Sequence, residues 1–236
     1  MTDHPSARWR LLTWNIHGSH HPNLEQVAEV VEGYGPDVLV LQEVQRRQAR
    51  RLAKRLGWRA IWARKHYPYS PLVWWRAEGL AVLTNLHTSH VVRLPISRGA
   101  STWTHRHRVV LAVTVTRGTS ALRVYDTHLA TSVDERIDQA RRVAELVVQE
   151  GAPVAVVAGD LNTHTSDLAE VVREFHPAGL HDVGGNSTSP VEAPQQRLDM
   201  VLIPRDAVVI DQHVPDGDEE WAHISDHLPV LMEFER

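Results

Sequence analysis

Val154-Ala-Val-Val-Ala158-Gly159-Asp160-Leu161-Asn162-Thr163 is the stretch whose reading decides the fold. An unbroken apolar run with β-branched residues predicts a strand buried on both faces. Gly159 is expected to let the chain turn where a Cβ would clash, so that Asp160 and Asn162 emerge from the strand's carboxyl end. Two polar side chains at i and i+2 of such a mouth can act on one substrate. Gly-Asp and Asn-Thr are also ordinary turn formers. The stretch gains functional meaning only if its design recurs.

It recurs on both sides. Upstream, Trp9–Ile16 alternates into a strand that carries Asn15 at its end, shortly before Gly18. Asp37-Val-Leu-Val-Leu41 is a buried strand that delivers Gln42 and Glu43. Gly79-Leu-Ala-Val-Leu83, preceded by Glu78, is another. Arg106–Thr116 and Ala121–Tyr125 read as a hairpin around Arg117-Gly118-Thr119-Ser120, the second arm running into Asp126-Thr127-His128. Downstream, Arg197–Ile203 contains Asp199, Ala207–Val214 follows, and Ser225-Asp226-His227 leads into Val230–Phe234.

Helices fall between these strands. Asn23 is placed to cap Leu24–Tyr34, which Gly35-Pro36 ends. Val133–Glu150 carries the apolar stripe Ile137, Ala140, Val143, Ala144 and Val147. Arg46–Arg55 and Ser166–Phe175 are shorter. Gly184–Gln196 is a polar loop expected to be mobile, and Asp216–Glu220 an acidic loop. No linker or internal repeat divides the chain, so residues 1–236 are expected to form one domain with mixed sheets.

Composition narrows the function. The 236 residues are 42% hydrophobic and 23% charged, as in a soluble globular protein. No apolar run approaches the roughly 20 residues of a membrane span. The start has no apolar export core, which with the absence of cysteine leads to a cytoplasmic expectation. Zero cysteines exclude a disulfide framework and thiolate metal sites. A net charge of −4 excludes a chain that coats nucleic acid through bulk charge, so any polyanion binding is local. The sequence points to no protein partner, and a monomer is expected.

Two local patterns bear on that point. Arg46, Arg50 and Lys54 form one i, i+4 row, and Arg47, Arg51 and Arg55 form a second beside it. They are either a solvated face or a substrate-binding face for phosphates. Trp58, Trp62, Tyr67, Tyr69, Trp74 and Trp75 interleave with Arg64, Lys65 and His66, which suits stacking on bases as well as it suits an ordinary core. His20 and His21 lack spaced partners and read as loop residues rather than zinc ligands.

The polar strand-end residues are therefore Asn15, Glu43, His128, Asp160, Asn162, Asp199, Asp226 and His227. Carboxylates and amides without thiolates favour a hard cation, Mg²⁺, Mn²⁺ or Ca²⁺. Histidines beside them suit proton transfer or anion stabilisation.

Thr-Trp-Asn15, Leu-Gln-Glu43, Thr-His128-Leu, Gly-Asp160-Leu-Asn162, Arg-Leu-Asp199 and Ser-Asp226-His227 stand in the order of the endonuclease/exonuclease/phosphatase superfamily, which the chain resembles over residues 9–234. The resemblance implies an α/β fold like deoxyribonuclease I, a four-layer α/β/β/α sandwich of two packed mixed sheets. It also implies metal-dependent hydrolysis of a phosphoester. On it, Glu43 is the principal metal ligand, with Asn15 and Asp226 nearby. Asp160 and Asn162 position the water and the phosphoryl oxygens, Asp199 orients His227, and His128 contacts the phosphate. Glu78 is a candidate for the carboxylate that supports a catalytic histidine in nuclease members.

Substrate choice stays open. Tyr125-Asp-Thr-His128-Leu stands where members acting on abasic DNA carry an asparagine-bearing segment, which disfavours that role. Tyrosyl-DNA phosphodiesterases, sphingomyelinases and inositol phosphatases share most of the motifs. The basic helix and aromatic stretch favour a phosphodiester in nucleic acid over a lipid, inositol phosphate or tyrosyl-DNA adduct. A catalytically silent binding protein on the same fold is the alternative of another class.

Overall fold

The computed structural model describes residues 6–67, 77–98 and 107–236, with the side chains of His66 and Tyr67 excepted. Tyr69, Trp74 and Trp75 of the aromatic stretch, and Arg106 of the hairpin, lie outside them. The strands are β1 Arg8–Asn15, β2 Val38–Gln45, β3 Arg59–Arg64, β4 His66–Tyr67, β5 Glu78–Thr84, β6 His87–Pro95 and β7 His107–Arg117. They continue with β8 Ser120–His128, β9 Ala155–Asp160, β10 Leu180–His181, β11 Asp199–Pro204, β12 Val208–His213 and β13 Val230–Glu235. The α-helices are α1 Leu24–Tyr34, α2 Arg46–Leu56, α3 Val133–Glu150, α4 Leu168–Arg173 and α5 Glu219–Ala222.

Among the described residues one sheet runs β12-β13-β1-β2-β5-β3. The other runs β10-β11-β9-β8-β7-β4, with β6 also paired to β7. Among the described residues only the central pairs β1–β2 and β8–β9 are parallel; the other pairings are antiparallel. Each parallel pair needs a crossover, and α1 and α3 supply it on the outer face of their sheet.

Three apolar layers confirm the sandwich. Val38, Val40, Leu111, Val124, Val156 and Ala158 meet between the sheets. Leu39, Leu41 and Trp14 turn outward onto Val27, Val31 and Leu52 of α1 and α2. Ala112, Tyr125 and Val157 turn outward onto Val143 and Val147 of α3. Alternate residues of one strand enter different cores because side chains alternate across a sheet. β9 is accordingly buried at every position, as its sequence predicts.

Some elements differ from the sequence reading. β6 is not foreshadowed in the sequence, because most of its residues are exposed and it shows no buried alternation. Gly159 does not turn the chain: β9 continues through it to Asp160. A Cβ there would lie 2.0 Å from Thr127 O on β8, and its φ is 142°, so glycine answers a close backbone approach. The 184–196 loop is anchored on the fold at several points. Thr188 and Val191 are buried, and Leu228 N donates to Thr188 O at 2.8 Å. No helix among the described residues is long and apolar enough to cross a membrane.

Candidate active site

Both parallel pairs end at the same edge of the sandwich. Asn15 and Gln42 are register partners at the ends of β1 and β2, as are His128 and Asp160 at the ends of β8 and β9. Asp199, at the start of antiparallel β11, lies opposite Asp160. Residues 225–227 reach the same edge just before β13, where Ser225 Oγ donates to Asn15 O at 2.6 Å. Topology thus gathers residues distant in sequence.

A bulge aims Glu43. The β2–β5 register shifts between Leu41 and Val44, and Glu43 has φ 55°, unusual for a residue with a Cβ. Gln42 faces inward and donates to Asp126 Oδ1 at 2.9 Å, while Val44 resumes packing in the outer core. The extra residue frees Glu43 from the alternation. Lys65 Nζ stands 2.6 Å from Glu43 Oε1 and 2.6 Å from Glu78 Oε2. Glu78 also accepts from Ser19 N at 3.1 Å. Its described partners are thus a lysine and a backbone amide rather than a histidine.

The buried centre is Asp160. Its Oδ2 accepts from Asn15 Nδ2 at 3.0 Å, and its Oδ1 from Asn162 N at 2.9 Å. His128 Nε2 lies 3.5 Å from Oδ2, and His128 Nδ1 lies 3.8 Å from Glu43 Oε1. Burial, with the charge of Asp199 nearby, pushes the Asp160 carboxyl up to about 6. Asn162 has φ 51° and donates through Nδ2 to Leu129 O at 2.8 Å.

Asp199 and His227 form a buried pair, Oδ2 to Nδ1 at 2.7 Å. Burial alone would lower the imidazole, but the charge and hydrogen bond of Asp199 outweigh it and hold His227 at about 10. Trp14 Nε1 donates to His227 O at 2.7 Å and fixes that backbone. Ligand atoms of Asp160, Asp199 and His227 lie within 4.8 Å of one another. Asp199 Oδ1 is buried without a hydrogen-bond partner among the described residues. Asp226 is exposed, its Oδ1 3.2 Å from His17 Nδ1.

The strand-end residues therefore share one edge. His128 bridges toward both Glu43 and Asp160, while Asp226 sits on the outer side of the cluster beside His17. Arg46, Arg50 and Lys54 are exposed along α2, which begins directly after β2. Trp58 and Trp62 pack against the outer core, an ordinary structural role.

Sequence reasoning missed several contributors. Thr188 Oγ1 donates to Asp199 Oδ2 at 2.7 Å from inside a loop whose polarity concealed it. Arg108 feels the charges of Asp160 and Glu43, yet burial lowers its pKa. Its Nη1 is buried without a hydrogen-bond partner among the described residues. An arginine at the start of a predicted strand was the available signal.

The family model for the Endonuclease/Exonuclease/phosphatase family matches residues 12–227. No curated protein matches the chain in sequence. Among solved structures, the chain is similar to an endonuclease/exonuclease/phosphatase from Beutenbergia cavernae DSM 12333. The identity is 25% and the TM-score 0.75, covering 96% of this chain and 71% of that one. The human nocturnin catalytic domain with bound sulfate shares the fold at 19% identity and TM-score 0.74, covering 96% and 94%. ANGEL2, a 2′,3′-cyclic phosphatase, shares it at 13% and 0.74, covering 98% and 95%. With the strand-end acids and histidines gathered at one edge of a two-sheet sandwich, the chain belongs to the endonuclease/exonuclease/phosphatase family.

Proposed function

We propose that this protein is a divalent-metal-dependent phosphodiesterase, one domain acting on phosphodiester bonds in nucleic acid. The observation that carries the reading is the convergence of Asp160, Asp199 and His227, all buried, beside His128 and Asn15. A family member that had lost catalysis would have no reason to keep two carboxylates and two imidazoles desolvated together.

The donors suit a hard cation. On this reading Glu43, Asn15 and Asp226 would hold Mg²⁺ or Mn²⁺, and oxygen donors of this kind would also admit Ca²⁺. The buried Asp199 Oδ1 has no hydrogen-bond partner among the described residues, and burial, helped by the charge of Asp199, raises the Asp160 carboxyl; an oxygen-seeking cation close by would satisfy both groups. When bound, the ion supplies Lewis-acid charge to the phosphoryl oxygens.

The chain's own residues do the rest. A phosphodiester is anionic and repels hydroxide, so a water must be deprotonated as it attacks. Asp160, with its pKa near 6, is the group suited to accept that proton at neutral pH. His227 is held as imidazolium by Asp199. It therefore donates a hydrogen bond to a phosphoryl oxygen instead of accepting a proton. His128 and Asn162 complete the cradle for charge that builds in the transition state. The water oxygen bonds to phosphorus as the opposite P–O bond breaks, its proton passing to Asp160, and the leaving alkoxide takes up a proton from solvent water.

Nucleic acid is favoured by the exposed cations of α2 next to the Glu43 strand. The deciding test is release from plasmid DNA, single strands, a 5′-tyrosyl oligonucleotide, sphingomyelin and a nucleoside 2′,3′-cyclic phosphate, each with Mg²⁺, Mn²⁺ or EDTA. The cyclic substrate belongs in the panel because ANGEL2 acts on that class. DNA should be cut, and EDTA should stop it. Glu43→Gln should lower turnover, with the fold intact, by at least the roughly 10–100-fold that losing a partner behind a metal ligand costs. Equal hydrolysis with and without EDTA would reject the metal assignment. Faster turnover of sphingomyelin would reject the substrate.

A further inference from the structure

Helix α3 lies behind the site and turns two polar side chains inward. Arg136 is 0% exposed and Gln139 1%. A helix held only by its apolar stripe would leave both in water, because desolvating a guanidinium costs several kcal/mol unless it is well partnered. Arg136 is well partnered. Its Nε donates to Asp167 Oδ2 at 2.8 Å, and its Nη1 donates to the carbonyl of Asn162. The same Nη1 reaches Ala130 O and Thr131 O at 3.4 and 3.3 Å. Asp167 Oδ1 in turn accepts from His164 N at 2.7 Å.

Gln139 extends the contact. Its Oε1 accepts from Ala130 N at 2.8 Å, and its Nε2 donates to Ser97 Oγ at 2.9 Å. Ser97 Oγ also accepts from Arg108 N at 3.0 Å. One rigid helix therefore grips the loop after His128, the loop after Asp160 and the entry to β7. What it grips is conformationally unusual: Asn162 sits at φ 51°, in the left-handed region that few residues with a Cβ adopt and asparagine tolerates best. Asp160 Oδ1 holds the Asn162 amide, and Arg136 holds its carbonyl.

We propose that Arg136 is a positioning residue for the phosphoester reaction. It acts through Asn162 and the 129–131 segment, setting the spacing of His128, Asp160 and Asn162, and touches no substrate itself. Its catalytic consequence rests on the proposed function; its grip on the loops does not.

The protein contains its own control. Arg123 is 2% exposed and pairs with both oxygens of Glu150, at 2.6 and 2.8 Å, near the other end of α3 and away from the site. Arg136→Lys and Arg123→Lys each keep the charge and lose the planar fork, so both should lower Tm to a similar degree. Well below both melting points, Arg136→Lys should lower kcat about tenfold or more with KM changed less than about twofold, the signature of misplaced groups. Arg123→Lys should leave kcat unchanged. Backbone amide exchange over residues 160–164 should quicken in the first variant and not in the second.

Equal kcat losses in the two variants, or a folded Arg136→Lys protein with unchanged kcat, would overturn the proposal. If Arg136→Lys does not fold, the neutral pair Arg136→Gln with Asp167→Asn is read in the same way. Were the wild-type protein inactive on every phosphoester, the functional reading would fall alone. Exchange would still decide the geometric claim, and unchanged protection over 160–164 would end it.

Discussion

Asp199 is held through one of its two carboxylate oxygens. Its Oδ2 faces both His227 Nδ1 and Thr188 Oγ1 at 2.7 Å, and Thr188 Oγ1 accepts from Leu198 N at 3.2 Å. The carboxylate therefore has little freedom, and neither does the imidazole it holds. Groups that act as a unit lose their effect together. His227→Ala and Asp199→Asn should each depress kcat strongly, and the double variant should be little slower than the slower single one. Single-turnover rates at saturating metal would check this; fully multiplicative losses would separate Asp199 from His227.

At the scale of elements, α2 shows how one helix serves packing and charge. Gln48, Ala49, Leu52 and Ala53 are buried against the first sheet, and Gln45 with Gln48 forms a capping box at its start. The opposite face carries Arg46, Arg47, Arg50, Arg51 and Lys54 in water, while Arg55 is tied to Glu25 and Glu32 of α1 at 2.8 and 2.7 Å. So the structure removes one cation from the basic face and leaves the 46-50-54 row open. If that row contacts phosphates, changing Arg46, Arg50 and Lys54 to Gln should weaken binding to long DNA and spare a small chromogenic diester. Each duplex phosphate that is no longer neutralised should flatten log affinity against log salt by about 0.9. An unchanged slope would leave the row a solvated face and withdraw its support for nucleic acid.

For the whole molecule, the interface between the sheets contains a carboxyl as well as hydrocarbon. Asp126 is 0% exposed beneath His128, and burial raises its pKa well above the ordinary 3.8, with the Gln42 hydrogen bond opposing. It is therefore protonated in the folded protein at pH values where the unfolded chain is ionised. Folding takes up a proton, so stability falls as pH rises from near 3.8 toward the folded-state pKa. The slope from this group is about 1.4 kcal/mol per pH unit across that window and vanishes outside it. Asp126→Asn should remove that slope. Denaturant melts at several pH values, comparing the two proteins, would show it; parallel pH dependences would mean that Asp126 is ionised in the fold.

Sequence alone settled what depends on local pattern. Buried strands announced themselves as apolar runs, the caps of α1 stood at Asn23 and Gly35, and the six ordered motifs sufficed to name the family. Their order needed no coordinates because strand ends deliver polar groups wherever apolar runs stop. Tertiary structure decided what depends on partners far along the chain. Gly159 was legible as a special position, but its cause, the backbone of Thr127, is a contact between strands. Glu43 was legible as an acid, whereas the bulge that aims it and the Lys65 that meets it follow from pairing with β5. Arg136 and Gln139 lie outside the apolar stripe that the sequence shows on α3, and Thr188 lies in a loop that read as polar. Helical or strand periodicity records which face is apolar, not whether a polar side chain finds buried partners on another element. That is a property of the assembled sandwich.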